Sequence, residues 1–99
     1  MSLSNEQKKH YRNIGHNLKP VVTIAGKGLS ETVINEIERA LDDHELIKVK
    51  FVIEDRDMRA QAIDETCKQT GALEIQKIGK VALLFRAAKK RNAKLSNIS

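Results

Sequence analysis

The chain has one cysteine, one proline, no tryptophan and only three aromatic residues. A single cysteine, Cys67, excludes an intramolecular disulfide and points to a reducing compartment, the cytoplasm by default. No apolar run exceeds Val81 to Phe85, far short of the roughly 20 residues a membrane-spanning helix needs. Met1 to His10 has no apolar run either, so no secretory signal is expected. The three aromatics (Tyr11, Phe51 and Phe85) each fall on a core-facing position. That leaves none for the exposed platforms on which single-stranded bases stack.

Catalytic and metal-binding chemistry is also missing. His10 and His16 stand six apart on a helix, about 240° round its axis, so one face cannot bring both to a metal. His44 lies among Asp42, Asp43 and Glu45 at a helix end, which reads as a solvated acidic cluster rather than a metal or acid–base site. Cys67 sits on an apolar helical stripe, as a core residue would. No nucleophile has a base and an orienting group in sight. A non-enzyme is expected, with no metal, no cofactor and no small-molecule substrate.

The chain does have cations, unevenly placed. The 99 residues carry a formal charge of +5, with a pI of about 9.5. From Met1 to Leu29, Lys8, Lys9, Arg12, Lys19 and Lys27 face Glu6 alone. From Gln76 to Ser99 there are seven cations and no acid, whereas Ser30 to Ile75 holds twelve acids and six cations. Such segregation makes one face basic if the termini lie close together, which suits an acidic partner; otherwise it is a solubilising surface with a basic tail.

The length suits one domain. Ser4-Asn5-Glu6-Gln7 reads as a capping box that opens a helix to about Leu18, and Pro20 cannot continue it. Val21 to Ile24 is a β-branched strand. Ser30 caps a second helix, with Val33, Ile34, Ile37, Ala40 and Leu41 on one face. Ile47, Val49, Phe51 and Ile53 alternate with Lys48 and Lys50 in a second strand. A third helix is predicted over Asp57 to Thr70, with Ala60, Ile63 and Cys67 inward and Gly71 as its stop. Leu73 to Ile78 and Val81 to Arg86 form a hairpin across Gly79-Lys80, a type II′ turn. Glu74, Gln76 and Lys77 mark the first of these strands as an edge, while the unbroken apolar run of the second makes it central.

The order α-β-α-β-α-β-β predicts an α/β fold, an α+β two-layer sandwich on a mixed four-stranded sheet. Residues 1–88 form the domain, and 89–99 are expected to be a basic tail, either a frayed helix end or mobile, that folding does not need.

The loop Ala25-Gly26-Lys27-Gly28 stands between a strand and a helix start. Glycines admit close backbone approach, unpaired N–H groups and the helix dipole favour an anion, and Lys27 adds a full charge. The spacing fits neither a P-loop nor G-x-G-x-x-G, and a simple turn is the competing reading.

This loop, together with Leu18-Lys19-Pro20-Val21-Val22, Glu45-Leu46-Ile47-Lys48-Val49-Lys50 and Gln76-Lys77-Ile78-Gly79-Lys80 ending in Leu84-Phe85-Arg86, resembles the CRM domain. The stand-alone bacterial form of that domain is the YhbY family, and the likeness runs from about Leu3 to Ala87. The resemblance implies a fold similar to the C-terminal domain of a bacterial translation initiation factor, with strand order 1-2-4-3 and an antiparallel fourth strand. It also implies RNA binding, in association with precursors of the large ribosomal subunit. Ala25 stands where the family's Gly-x-x-Gly loop begins, and Phe85 where a tyrosine is usual. Combined with the charge pattern, the expected RNA-binding residues are Gly26, Lys27, Gly28, Lys8, Arg12, Lys19, Lys48, Lys50, Arg86, Lys89, Lys90 and Arg91. A monomer acting on ribosomal RNA or pre-ribosomal particles is expected. The alternative is an adaptor whose basic face docks on an acidic protein surface.

Overall fold

The computed structural model describes residues 3–25 and 29–98. Its elements are α1 (Asn5–Gly15), β1 (Pro20–Ala25), α2 (Glu31–His44), β2 (Leu46–Val52), α3 (Arg56–Thr70), β3 (Leu73–Ile78) and β4 (Val81–Phe85). The four strands make one sheet in the order β1-β2-β4-β3, with β1 and β2 parallel and both β4 pairings antiparallel. Element order, sheet type and the central position of β4 are all as expected from the sequence.

The local signals act as their chemistry requires. The Ser4 hydroxyl accepts from the Gln7 amide while the Gln7 side chain accepts from the Ser4 amide, closing the capping box. Ser30 and Asp55 cap α2 and α3 in the same way, by accepting from Val33 N–H and Met58 N–H. Gly71 ends α3 in the left-handed conformation at φ 75°. Gly79 takes φ 57° while Lys80 stays at negative φ, the signature of the type II′ turn.

The sheet is apolar on both faces. Val22, Ile24, Ile47, Val49, Phe51, Ala82 and Leu84 pack beneath α2 and α3. On the other face Leu46, Ile75, Leu83 and Phe85 are covered by Tyr11, Ile14 and Leu18, so α1 adds a partial outer layer to the two-layer sandwich. Tyr11 and Phe85 stack at a centroid distance of 4.9 Å. Leu3 and Ile98 join this second cluster, which brings the two ends of the described chain together.

Two details differ from the sequence reading. Helix α1 ends at Gly15, three residues early, and unwinds through short turns (Asn17 N–H to Ile14 O, Leu18 N–H to Gly15 O, both 3.1 Å) that still deliver Leu18 to the core. The inward face of α3 is Ile63, Thr66 and Thr70, with Ala60 and Cys67 only half-buried. The threonine hydroxyls donate to Ala62 O and Thr66 O one turn back, so burying them strands no polar atom.

Gly15 is buried against the sheet because a side chain would not fit. A Cβ there would lie 2.7 Å from Leu83 Cδ2, and Leu83 is itself only 2% exposed. Gly15→Val is therefore expected to destabilise the protein by about 2 kcal/mol through overpacking. The check is a lower urea midpoint at unchanged m value.

Candidate functional site

Strand register places the functional side chains. Residues in one cross-strand row point to the same face, so the rows on the α1 side can be read from the pairings. Leu46, Phe85 and Leu73 form the row beneath α1. The next row is Pro20, Lys48, Leu83 and Gln76, and beyond it come Thr23, Lys50, Val81 and Ile78. Ala25 and Val52 close the sheet at that end. Helix α1 shelters the first row and leaves the far rows open, with Ile78 62% exposed.

None of these rows contains an acid, and in α1 and its following link Glu6 is the sole carboxylate. The acids lie on α2, on α3, on the segments beside those helices, and at Glu74 in the row facing Leu84. The charge segregation of the sequence thus becomes a segregation between the two sides of the sheet. Lys8, Arg12 and His16 follow one another at one-turn spacing along α1, with His16 at the border of the open rows. Lys8, Arg12, Lys48 and Lys50 are thus brought to one side, and none has an ion-pair partner among the described residues. Lys19, which precedes β1, borders the same surface near Lys48.

Gly26, Lys27 and Gly28 lie outside the described residues. The chain leaves β1 at Ala25, beside Val52, and returns at Leu29 just before the Ser30 cap of α2. The exit is thus one row beyond Lys50. Ala25 is not strained where the family has glycine, because Glu45 is the sole non-glycine residue with positive φ among those described.

The cations after β4 behave differently from the rest. Arg86 is committed within the fold: Nη1 donates to Glu38 Oε2 (2.7 Å) and Thr70 O (2.8 Å), and Nη2 to Asp42 Oδ1 (2.7 Å) and Glu38 O (3.1 Å). It ties α2, the end of α3 and β4 together, and its Nη donors are engaged within the fold. Lys89 and Lys90 stand near Glu38 and Asp42, at the opposite end of the sheet from Ala25. A seven-residue strand separates the two ends by about 20 Å.

The segment expected to be a mobile tail is instead fastened to Glu45. This carboxylate is 1% exposed and accepts from Arg91 Nε (2.6 Å), Ala88 N–H (2.9 Å) and Ser96 Oγ (2.9 Å). Asn97 donates its backbone N–H to His44 O and its side-chain amide to Leu46 O, and His44 Nδ1–H donates to Leu95 O at 2.8 Å. Burial pushes the Glu45 carboxyl up, but the Ala88, Ser96 and Arg91 donors outweigh it and hold the group below its ordinary value. The sequence signal was absent because the anchor is one charge rather than an apolar stripe. Glu45 itself gave no hint beyond its place in an acidic cluster.

Cys67 is half-buried, and burial together with the Glu74 and Asp64 carboxylates pushes its thiol up to about 11. It stays protonated at neutral pH, which suits packing and not nucleophilic chemistry.

The structure therefore defines a class: a small mixed-sheet α/β domain with acidic helices on one side and a cationic surface, with Glu6 its sole acid, on the other. The chain belongs to the CRS1/YhbY (CRM) domain family, whose model matches residues 3–86. It is 52% identical over 99 residues to "Probable RNA-binding protein PA4753" of Pseudomonas aeruginosa, a match covering 100% of this chain and 95% of that one. It is 39% identical over 94 residues to a Haemophilus influenzae protein named "RNA-binding protein", covering 95% of each. The solution structure of the Staphylococcus aureus protein SAV1595 superposes with a TM-score of 0.78 at 28% identity, covering 95% of this chain and 97% of that one.

Proposed function

We propose that this protein is an RNA-binding protein and not an enzyme, and that it associates with precursors of the large ribosomal subunit in the cytoplasm as a monomer. Family membership and the names of its relatives support RNA as the partner. The observation that carries the reading is the acid-poor surface on which Lys8, Arg12, Lys19, Lys48 and Lys50 have no ion-pair partner among the described residues. An RNA backbone laid on it would run from α1 across the open sheet rows toward the exit at Ala25. There Lys27 and the start of α2 would offer a further phosphate a full charge, a helix dipole and N–H donors. Lys89 and Lys90 would then contact a separate part of the RNA, or none.

Binding of this kind releases counterions. With about 4–6 phosphates neutralised, log K is expected to fall with log salt at a slope of −0.7 to −0.9 per phosphate. Titrations of a ribosomal RNA fragment across a salt series check this, and an affinity indifferent to salt would count against the proposal. Co-purification with ribosomal particles that ribonuclease abolishes would favour RNA over an acidic protein surface as the partner.

A further inference from the structure

The open rows of the sheet do more than carry charge. Between the end of α1 and the bare sheet lies a cleft of about 240 Å³. Its floor and walls are Leu83, Val81, Ile78 and Pro20, and His16, Lys48 and Gln76 stand around them. Gln76 and Lys48 are half-buried, and neither side chain has a hydrogen-bond partner among the described residues. An apolar floor with a few convergent polar groups is the usual construction of a site for a small planar ligand. The volume lies below the roughly 300–1,000 Å³ of drug-sized pockets, which suits a single ring system better than a helix or a longer peptide.

The charges indicate what that ring belongs to. No acid lies on the rows that form the cleft, and Lys48, which lines it, is followed on the same face of β2 by Lys50. A neutral ring entering here would have a polyanion on either side of it. We infer that the cleft receives one unpaired base of the bound RNA, while Lys48 and Lys50 hold the phosphates flanking it. The inference rests on the RNA reading above and adds a base contact to it.

The Gln76 amide offers both a donor and an acceptor to a base edge, and rotating it exchanges them. His16 supplies an imidazole that can lie against the ring. A flipping amide and an apolar floor accept any base, so the cleft senses that a base is present more than which base it is.

The test compares single-stranded RNA oligomers of about a dozen nucleotides with an abasic ribose-phosphate oligomer of equal charge. The native protein is expected to bind the base-bearing oligomers about fivefold or more tightly than the abasic one, as one buried base contact gives. Gln76→Ala and Ile78→Ser, which leave the charge unaltered, are expected to reduce that preference while leaving the salt slope unchanged. Independently of any variant, the methyl resonances of Ile78, Val81 and Leu83 are expected to shift with base-bearing RNA and not with the abasic oligomer. Equal affinity of the native protein for both kinds of oligomer overturns the base site and leaves the phosphate reading standing. Failure to bind either one overturns that reading and this inference together. A protein partner that survives ribonuclease and is lost with Ile78→Ser would make the cleft a protein-docking site, which also overturns the inference.

Discussion

Truncation after Ala88 is expected to destabilise the protein by about 2–3 kcal/mol, lowering the thermal midpoint by roughly 10–20 °C. Residues 89–99 supply the Arg91 and Ser96 donors to Glu45, the two Asn97 bonds, and Ile98 in the second core cluster. Their removal leaves a carboxylate that is 1% exposed in the intact chain with only the Ala88 N–H as partner. The loss combines two bonds to a carboxylate, the Asn97 bonds and the apolar contact of Ile98. Glu45→Ala removes the charge along with the bonds, so truncation in that background is expected to cost less than in the native chain. Thermal melts of the four combinations measure this coupling.

The pH dependence contributed by the same group is expected to flatten on truncation. In the intact protein the Glu45 carboxyl is held below its ordinary value, so its contribution is complete at neutral pH. That contribution fades once the pH drops past about 4.3, the ordinary glutamate value, and on through the depressed folded value. In the truncated chain the Arg91 and Ser96 donors go together with the segment that covers the carboxylate, so the downward pull is expected to weaken. The part of the acid sensitivity that Glu45 contributes should then shrink. If the costs of Glu45→Ala and of truncation simply add, and the acid response does not differ, Glu45 is not the anchor.

The second large effect concerns affinity. Lys27→Glu is expected to weaken RNA binding on the order of tenfold, against about twofold or less for Lys68→Glu. Lys68 is exposed on α3 and lies on the acid-bearing side of the sheet, whereas Lys27 belongs to the segment between the end of β1 and the Ser30 cap. A phosphate at the start of α2 would gain from helix dipole and N–H donors together, so charge reversal there removes more than one screened contact. Each change is expected to move stability by no more than about 0.5 kcal/mol. Titration of both variants at one salt concentration decides. Equal affinities would make the loop a simple turn and move the centre of binding to Lys48 and Lys50.

Much of the fold was legible because its signals are local. The capping box at Ser4, the Ser30 cap, the Gly71 stop and the Gly79 turn each act within a few residues, and each is found where the sequence puts it. The unbroken apolar run of β4 marked a strand covered on both faces, and the structure sets it between β2 and β3 with helices above and below. The buried side of α3 was only partly legible. Thr66 and Thr70 look polar in a sequence and become core residues only once their hydroxyls find the carbonyls one turn back.

By itself the sequence determined the element order, the caps, the parallel and antiparallel pairings and the uneven distribution of charge. All of these follow from spacing and side-chain chemistry along a short stretch of chain. Which cations remain available was decided by tertiary structure alone. Arg86 and Arg91 read as members of a basic cluster, yet they find Glu38, Asp42 and Glu45 more than forty positions away and are bound there. Lys48 and Lys50, from the net-negative middle of the chain, emerge on the acid-poor side because strand alternation turns them away from Val49 and Phe51. A formal charge is a property of a residue. Whether that charge faces a partner or a neighbouring carboxylate depends on contacts between residues far apart in the chain, and only folding makes those contacts.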